Sequence, residues 1–196
     1  MRHLLVPVVL AACVVGACTP AVEEPTTAPP PSPTVAVSAS PSPTPEPSPS
    51  PTVAESFPPA PASESADQAA VRAAWMEYWE TFETYAQRPE LTDFTRLQNL
   101  LEGEEARLSL ESIRNLRESG KKAAGGLAFR SVELEVQQSS ASVAYCLDRS
   151  NLALEDLSTG EVELGSLPNL SETATLSKGD DGKWRVSQIR NVEAEC

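Results

Sequence analysis

Histidine is almost missing from this chain: the sequence holds one, His3. Chemistry in any folded part further along must therefore do without imidazole. Positive charge is also scarce, with 15 Lys and Arg against 28 Asp and Glu in 196 residues and a formal net charge of −13. A chain this acidic lacks the basic face that a nucleic-acid binder needs. No segment reaches the roughly 20 consecutive apolar residues of a spanning helix. No Gly-rich phosphate cradle, nucleophile elbow, CxxC pair or metal-ligand helix is found, and nothing calls for a cofactor or a metal. Proline is plentiful but local, with 15 of the 18 lying between Pro20 and Pro61. Such a stretch cannot build a packed core. One foldable segment of roughly 130 residues remains, enough for a single modest core.

Met1, Arg2 and His3 make a short positive start, and residues 4–17 are apolar or small without interruption. That length suits a signal-peptide core. It ends in Val15-Gly16-Ala17-Cys18, which resembles the lipobox of bacterial lipoproteins. The resemblance implies a leader over residues 1–17, removed just before Cys18, whose thiol receives a diacylglyceryl group. Small side chains let the peptidase approach, and only a thiol supplies the sulfur nucleophile. Leu10-Ala11-Ala12-Cys13 is an alternative lipobox that would leave a shorter apolar core. Secretion without lipid is the plainer alternative. Two acyl chains anchor stably where one does not. The first partner expected is thus the lipid bilayer, at the extracytoplasmic face of the cell membrane.

Residues 18–64 form the lipidated Cys and a Pro/Ser/Thr-rich linker. Proline favours an extended polyproline II backbone there. The stretch 19–64 could reach roughly 140 Å at about 3.1 Å per residue. It reads as a tether. Its PxxP patterns also suit a proline-reading partner, and its Ser and Thr suit O-glycosylation.

Residues 65–196 carry 14 basic and 23 acidic residues, net −9. Ser65 and Gln68 look like a capping box. Val71, Trp75, Tyr78, Trp79, Phe82, Tyr85 and Ala86 then recur at spacings that put an aromatic stripe on one helix face. Arg88-Pro89 stops that helix. Thr92 and Asp93 can cap a short second helix carrying Phe94, Leu97, Leu100 and Leu101. A third helix, about 104–119, ends before Gly120. After Gly125-Gly126 the period changes to two. Strands are expected at Val132, Leu134 and Val136, then at 142–148, 152–157, 173–177 and 183–190. Gly179-Asp180-Asp181-Gly182 reads as a hairpin turn between the last two. Helices first and antiparallel strands after predict an α+β domain with helices packed on one face of a curved sheet.

The long first helix, two further helices and a meander ending in Asp181-Gly182-Lys183-Trp184-Arg185-Val186 resemble the nuclear transport factor 2-like superfamily. A nearer resemblance is to actinobacterial envelope lipoproteins with such a domain after a Pro/Ser/Thr linker. In them a strand similar to 143–150 precedes a Gly-Lys-Trp-Arg-Val-like strand and a C-terminal cysteine. The resemblance implies a cone-shaped α+β fold with an internal pocket. It implies no activity, because the fold serves enzymes, binding modules and assembly domains alike. Sheets in the superfamily often pair, so a homodimer is among the expected partners.

Cys146 and Cys196 are the two cysteines left in the domain, and an exported chain should pair them. Tyr78, Trp79, Phe82, Tyr85, Tyr145 and Trp184 could line a cone pocket, or could simply be core. Asp148 could act as a lone general base if burial raised its pKa, although strand alternation sets it opposite Tyr145 and a turn or an ion pair with Arg149 is the plainer reading. Asp180 and Asp181 offer too few oxygens for calcium. The sequence therefore suggests a lipid-anchored envelope protein whose domain binds an envelope protein or a small apolar ligand without catalysis. The alternative is a small isomerase or dehydratase with an aromatic pocket and a carboxylate base.

Overall fold

The computed structural model describes residues 56–196. Cys18, its alternative Cys13 and the leader lie outside the described residues. Helix α1 (Ala66–Gln87) begins at the expected capping box. The Ser65 Oγ accepts from the Gln68 N–H at 3.2 Å, and the Ser65 N–H donates to Gln68 Oε1 at 3.0 Å. Its buried face carries Val71, Trp75, Tyr78, Trp79 and Tyr85, as the spacing predicts. Among the described residues no helix is long and apolar enough to cross a membrane.

The second helix is shorter than expected. Helix α2 (Thr95–Gln98) holds Leu97, but Leu100 and Leu101 have left it. There the chain turns to the sheet: Val186 N–H donates to Leu100 O, Glu102 N–H donates to Val186 O, and Leu101 bridges Val186. The N-cap is Phe94 and neither Thr92 nor Asp93, but Asp93, one residue earlier, accepts from the Thr95 N–H at 2.9 Å and its hydroxyl at 2.6 Å. Helix α3 (Gly103–Glu118) buries Leu110 and Ile113 and ends at Gly120, whose φ of +72° suits glycine.

Seven strands follow, where five were expected. They are β1 (Lys121–Gly125), β2 (Ala128–Gln137), β3 (Ser140–Asp148), β4 (Leu152–Asp156), β5 (Val162–Leu164), β6 (Leu170–Lys178) and β7 (Trp184–Glu193). They form two antiparallel sheets, ordered β1-β4-β5 and β2-β3-β6-β7. Gly125, at φ +76°, lies where the chain leaves the small sheet for the large one, and a Cβ there would collide with the Asn151 carbonyl. Bulges after Arg130 and at Ser187 bend β2 and β7. The result is the expected α+β domain, helices against antiparallel sheet.

The core lies between α1 and the inner face of the large sheet. Trp75, Tyr78, Leu97, Ile113, Val143, Leu176 and Val186 are fully buried in it. Cys146 and Cys196 form a disulfide with Cα atoms 5.7 Å apart. Residues 56–64, read from sequence as the end of the linker, lie against the domain: Phe57 is 8% exposed and belongs to the core.

Candidate functional site

The six aromatic residues proposed as a pocket divide into three sets. Tyr78, Trp79, Phe82 and Tyr145 meet in one cluster with Trp75 and Phe129, ring centroids 5.0–6.3 Å apart. Tyr85 stands aside on Phe94, its hydroxyl donating to Asp93 O at 2.6 Å. Trp184 lies elsewhere, under the Lys178 ammonium. Five of the six are buried and packed as core, and Phe82 is partly buried. Of the six, Phe82 alone borders the apolar crevice described next.

That crevice has a volume of about 190 Å³ and runs between the C-terminal half of α1, α3 and the small sheet. Phe82, Ala86, Ile113, Leu116, Leu127 and Leu154 make its apolar walls, with Glu83, Gln87 and Ser112 as the polar groups. Glu83 accepts from the Leu127 N–H at 2.9 Å. Burial, helped by the nearby Glu80, lifts its pKa above the ordinary carboxylate value against the pull of that N–H. Gln87 is fixed by donating to Gly125 O at 3.0 Å. Glu83 also lies on the wall of a wider polar basin lined by Lys122, Arg130, Asn151 and Glu155.

Two further carboxylates lie deeper. Trp79 Nε1–H donates to the Tyr145 hydroxyl at 3.2 Å, and that hydroxyl donates to Glu172 at 2.6 Å. Glu172, 4% exposed, has its pKa raised, first by burial, against the Tyr145 hydrogen bond and the Arg149 charge. The Tyr145 hydroxyl is pushed up by its own burial and by Glu172. A second chain joins Tyr78 to Ser109 at 3.1 Å, Ser109 to Glu105 at 3.0 Å, and Glu105 to the Ile189 N–H at 2.9 Å. Burial raises the Tyr78 pKa as well.

Asp148 has the opposite setting. Bonds from Ser150, then the Arg130 guanidinium at 2.8 Å, hold its pKa down to about 2. Its partner is Arg130 and not Arg149, because the antiparallel register sets Ala128 across from Asp148 and Arg130 across from Cys146, which makes Arg130 and Asp148 diagonal neighbours on one face. Arg149 donates instead to Pro168 O. A carboxyl so held is a poor proton acceptor at neutral pH. Asp180 and Asp181 sit in the expected turn, Asp181 gripped by the two terminal guanidinium nitrogens of Arg185 at 3.0 and 2.6 Å. Among the described residues no group of three or more His, Cys, Asp or Glu is placed to hold a metal ion.

Sequence reasoning missed Glu83, Glu105 and Glu172. Glu83 lies four residues after Trp79 and three before Ala86, so the helical period already put it on the buried side. Glu172 is in phase with Ala174 and Leu176 along β6, but the expected strand began one residue too late to include it.

No protein-family model matches the chain, and no curated protein matches it. Solved structures do. The intermembrane space region of the chloroplast protein ARC6 matches at 11% identity and TM-score 0.47, over 67% of this chain and 98% of that one. A ketosteroid isomerase-like protein from Erwinia carotovora atroseptica matches at 14% and 0.46, over 68% and 100%. An NTF2-like protein with a cystatin-like fold from Novosphingobium aromaticivorans matches at 15% and 0.41, over 66% and 82%. The site geometry above stands on this chain's own side chains.

Proposed function

We propose that the chain is a lipid-anchored envelope protein whose domain binds a small apolar ligand, or an apolar side chain of a partner protein, without catalysis. The observation that carries the reading is the apolar crevice with Glu83 on its wall. At about 190 Å³ it falls below the roughly 300–1,000 Å³ of sites for drug-sized ligands. It therefore suits a short hydrocarbon or a single ring. Native mass spectrometry of the oxidised protein, taken from its own host without denaturation, tests it. Excess mass that disappears on denaturation supports a bound ligand. A bare mass shifts the reading to protein contacts, to be sought by partner capture, a second copy of this chain included.

Anchoring rests on the pattern at residues 15–18. Cys18→Ala is expected to move the protein from the membrane to the soluble fraction, while Cys13→Ala leaves it in place. The reverse result would transfer the lipid to Cys13.

A second reading, a small isomerase or dehydratase, is favoured by one observation. Glu83 has the raised pKa that a carboxylate base needs, and Asp148 lacks it. Turnover of a ligand from the crevice, lost by about 100-fold or more in Glu83→Gln, would establish it. Unchanged turnover in that variant would remove it.

A further inference from the structure

The segment 56–64 is held to the domain at two points. At one end Phe57 stacks on Phe129, centroids 4.6 Å apart and planes 1° from parallel, and meets Trp75 at 5.4 Å and 81°. At the other end Glu64 pairs with Arg72 at 2.7 Å, both side chains under 10% exposed. Between them lie three prolines, Pro58, Pro59 and Pro61, and the backbone hydrogen bond from Glu64 N–H to Pro61 O stays inside the segment. Among the described residues, no hydrogen bond joins 56–63 to the rest of the domain. This is a strap with a plug at one end and a latch at the other.

The plug sits in a slot of particular chemistry. Phe129 offers a ring face, and Trp75 stands at right angles to both phenyl rings. Tyr145 and Trp79 close in behind Phe129. The Trp75 indole N–H is buried with no acceptor among the described residues. The phenyl side chain that fills the slot carries no hydrogen-bond acceptor, so the Trp75 donor gains nothing from its present neighbour. None of Trp75, Trp79, Phe129 and Tyr145 lines the apolar crevice, so this slot stands or falls separately from the function proposed above.

We propose that the Trp75–Phe129 slot is a second ligand site, for a small planar aromatic molecule carrying a hydrogen-bond acceptor, and that Phe57 is its built-in competitor. A ligand of that class stacks on Phe129 in place of Phe57 and partners the Trp75 N–H. The strap then swings away from its plug end, while the Glu64–Arg72 pair is loosened. Because the strap leads directly into the linker, occupancy of the slot frees the end of the tether from the domain. Only a ligand with affinity for the open state shifts this balance.

Phenol is a suitable probe, titrated into the oxidised full-length chain and followed by tryptophan fluorescence. A glutamyl-specific protease reports on the strap through cleavage after Glu64, with cleavage after Glu111 in α3 as the control for global unfolding. Phenol is expected to speed cleavage after Glu64 at least fivefold in the wild type, leaving Glu111 unaffected. Phe57→Ala is expected to cleave fast without phenol and to bind phenol at least tenfold more tightly, its competitor being gone. Phenol bound equally by both proteins, or bound by the wild type with no change at Glu64, would overturn the proposal. So would a folded Phe57→Ala that binds no phenol. Should Phe57→Ala fail to fold, the wild-type cleavage experiment decides alone.

Discussion

Glu172 is a carboxyl in the wrong solvent, and the wild-type protein should show it on titration. Burial lifts its pKa above the ordinary value, so the folded state holds that proton more tightly than the unfolded state. The stability this contributes is present below the unfolded pKa and is lost as pH rises through the folded one. Acidification from about pH 7 to about pH 5 should therefore stabilise the wild type through this group. Glu172→Gln should show a smaller gain, and urea unfolding at the two values measures the difference. An equal gain in both proteins would mean that Glu172 is not raised. Tyr145→Phe removes the hydroxyl shared by Trp79 and Glu172 and should cost about 1–3 kcal/mol near neutral pH. Asp148 works in the other direction: its pKa of about 2 makes its contribution vanish as pH falls from about 4 towards 2. These roles were half legible. Alternation separated Tyr145 from Asp148, yet which strand neighbour would pair with Asp148 depended on the β2–β3 register, and no single strand carries that information.

Among the elements, α1 was readable from end to end because three independent signals agree: a capping box, an aromatic stripe and a proline stop. Strand β1 was not readable, because Lys121-Lys122-Ala123-Ala124-Gly125 has neither alternation nor β-branched residues and owes its state to pairing with β4. Strand β5 is three residues long and exposed throughout, so no inner face marked it. The aromatic stripe was correctly placed but carried two possible meanings. Packing resolved it mostly into core, and the crevice lies at one end of it. Local propensity should still be measurable. Ser65→Ala removes one half of the capping box and should cost about 1 kcal/mol. Gly125→Ala forces a Cβ onto the Asn151 carbonyl at positive φ and should cost more than the Ser65 change. Thermal or urea unfolding of the two variants gives the order. A milder effect at Gly125 would mean that the passage between the sheets can shift.

For the molecule as a whole, the disulfide is the largest single constraint. It joins residues 50 apart, and on the chain-entropy account a loop of that length stabilises by about 4 kcal/mol. The paired variant Cys146→Ala/Cys196→Ala should lower the urea midpoint accordingly and leave the folded far-ultraviolet spectrum unchanged. A midpoint that did not move would mean that strain in the native bridge cancels the entropy.

The place of that bridge has one more consequence. Residues 146–196 take in β4, β5, β6 and β7 entire, whereas α1, α2, α3, β1 and β2 all precede Cys146. When the oxidised chain unfolds, residues 146–196 therefore stay a closed ring, and the residues before Cys146 hang from it as a free tail. The ring keeps its strands near one another and leaves the helices to sample space freely. Oxidised and reduced chains should thus have the same hydrodynamic radius when folded and different radii in denaturant, the ringed form being the smaller. On re-folding, the sheet starts from a confined volume and the helices do not.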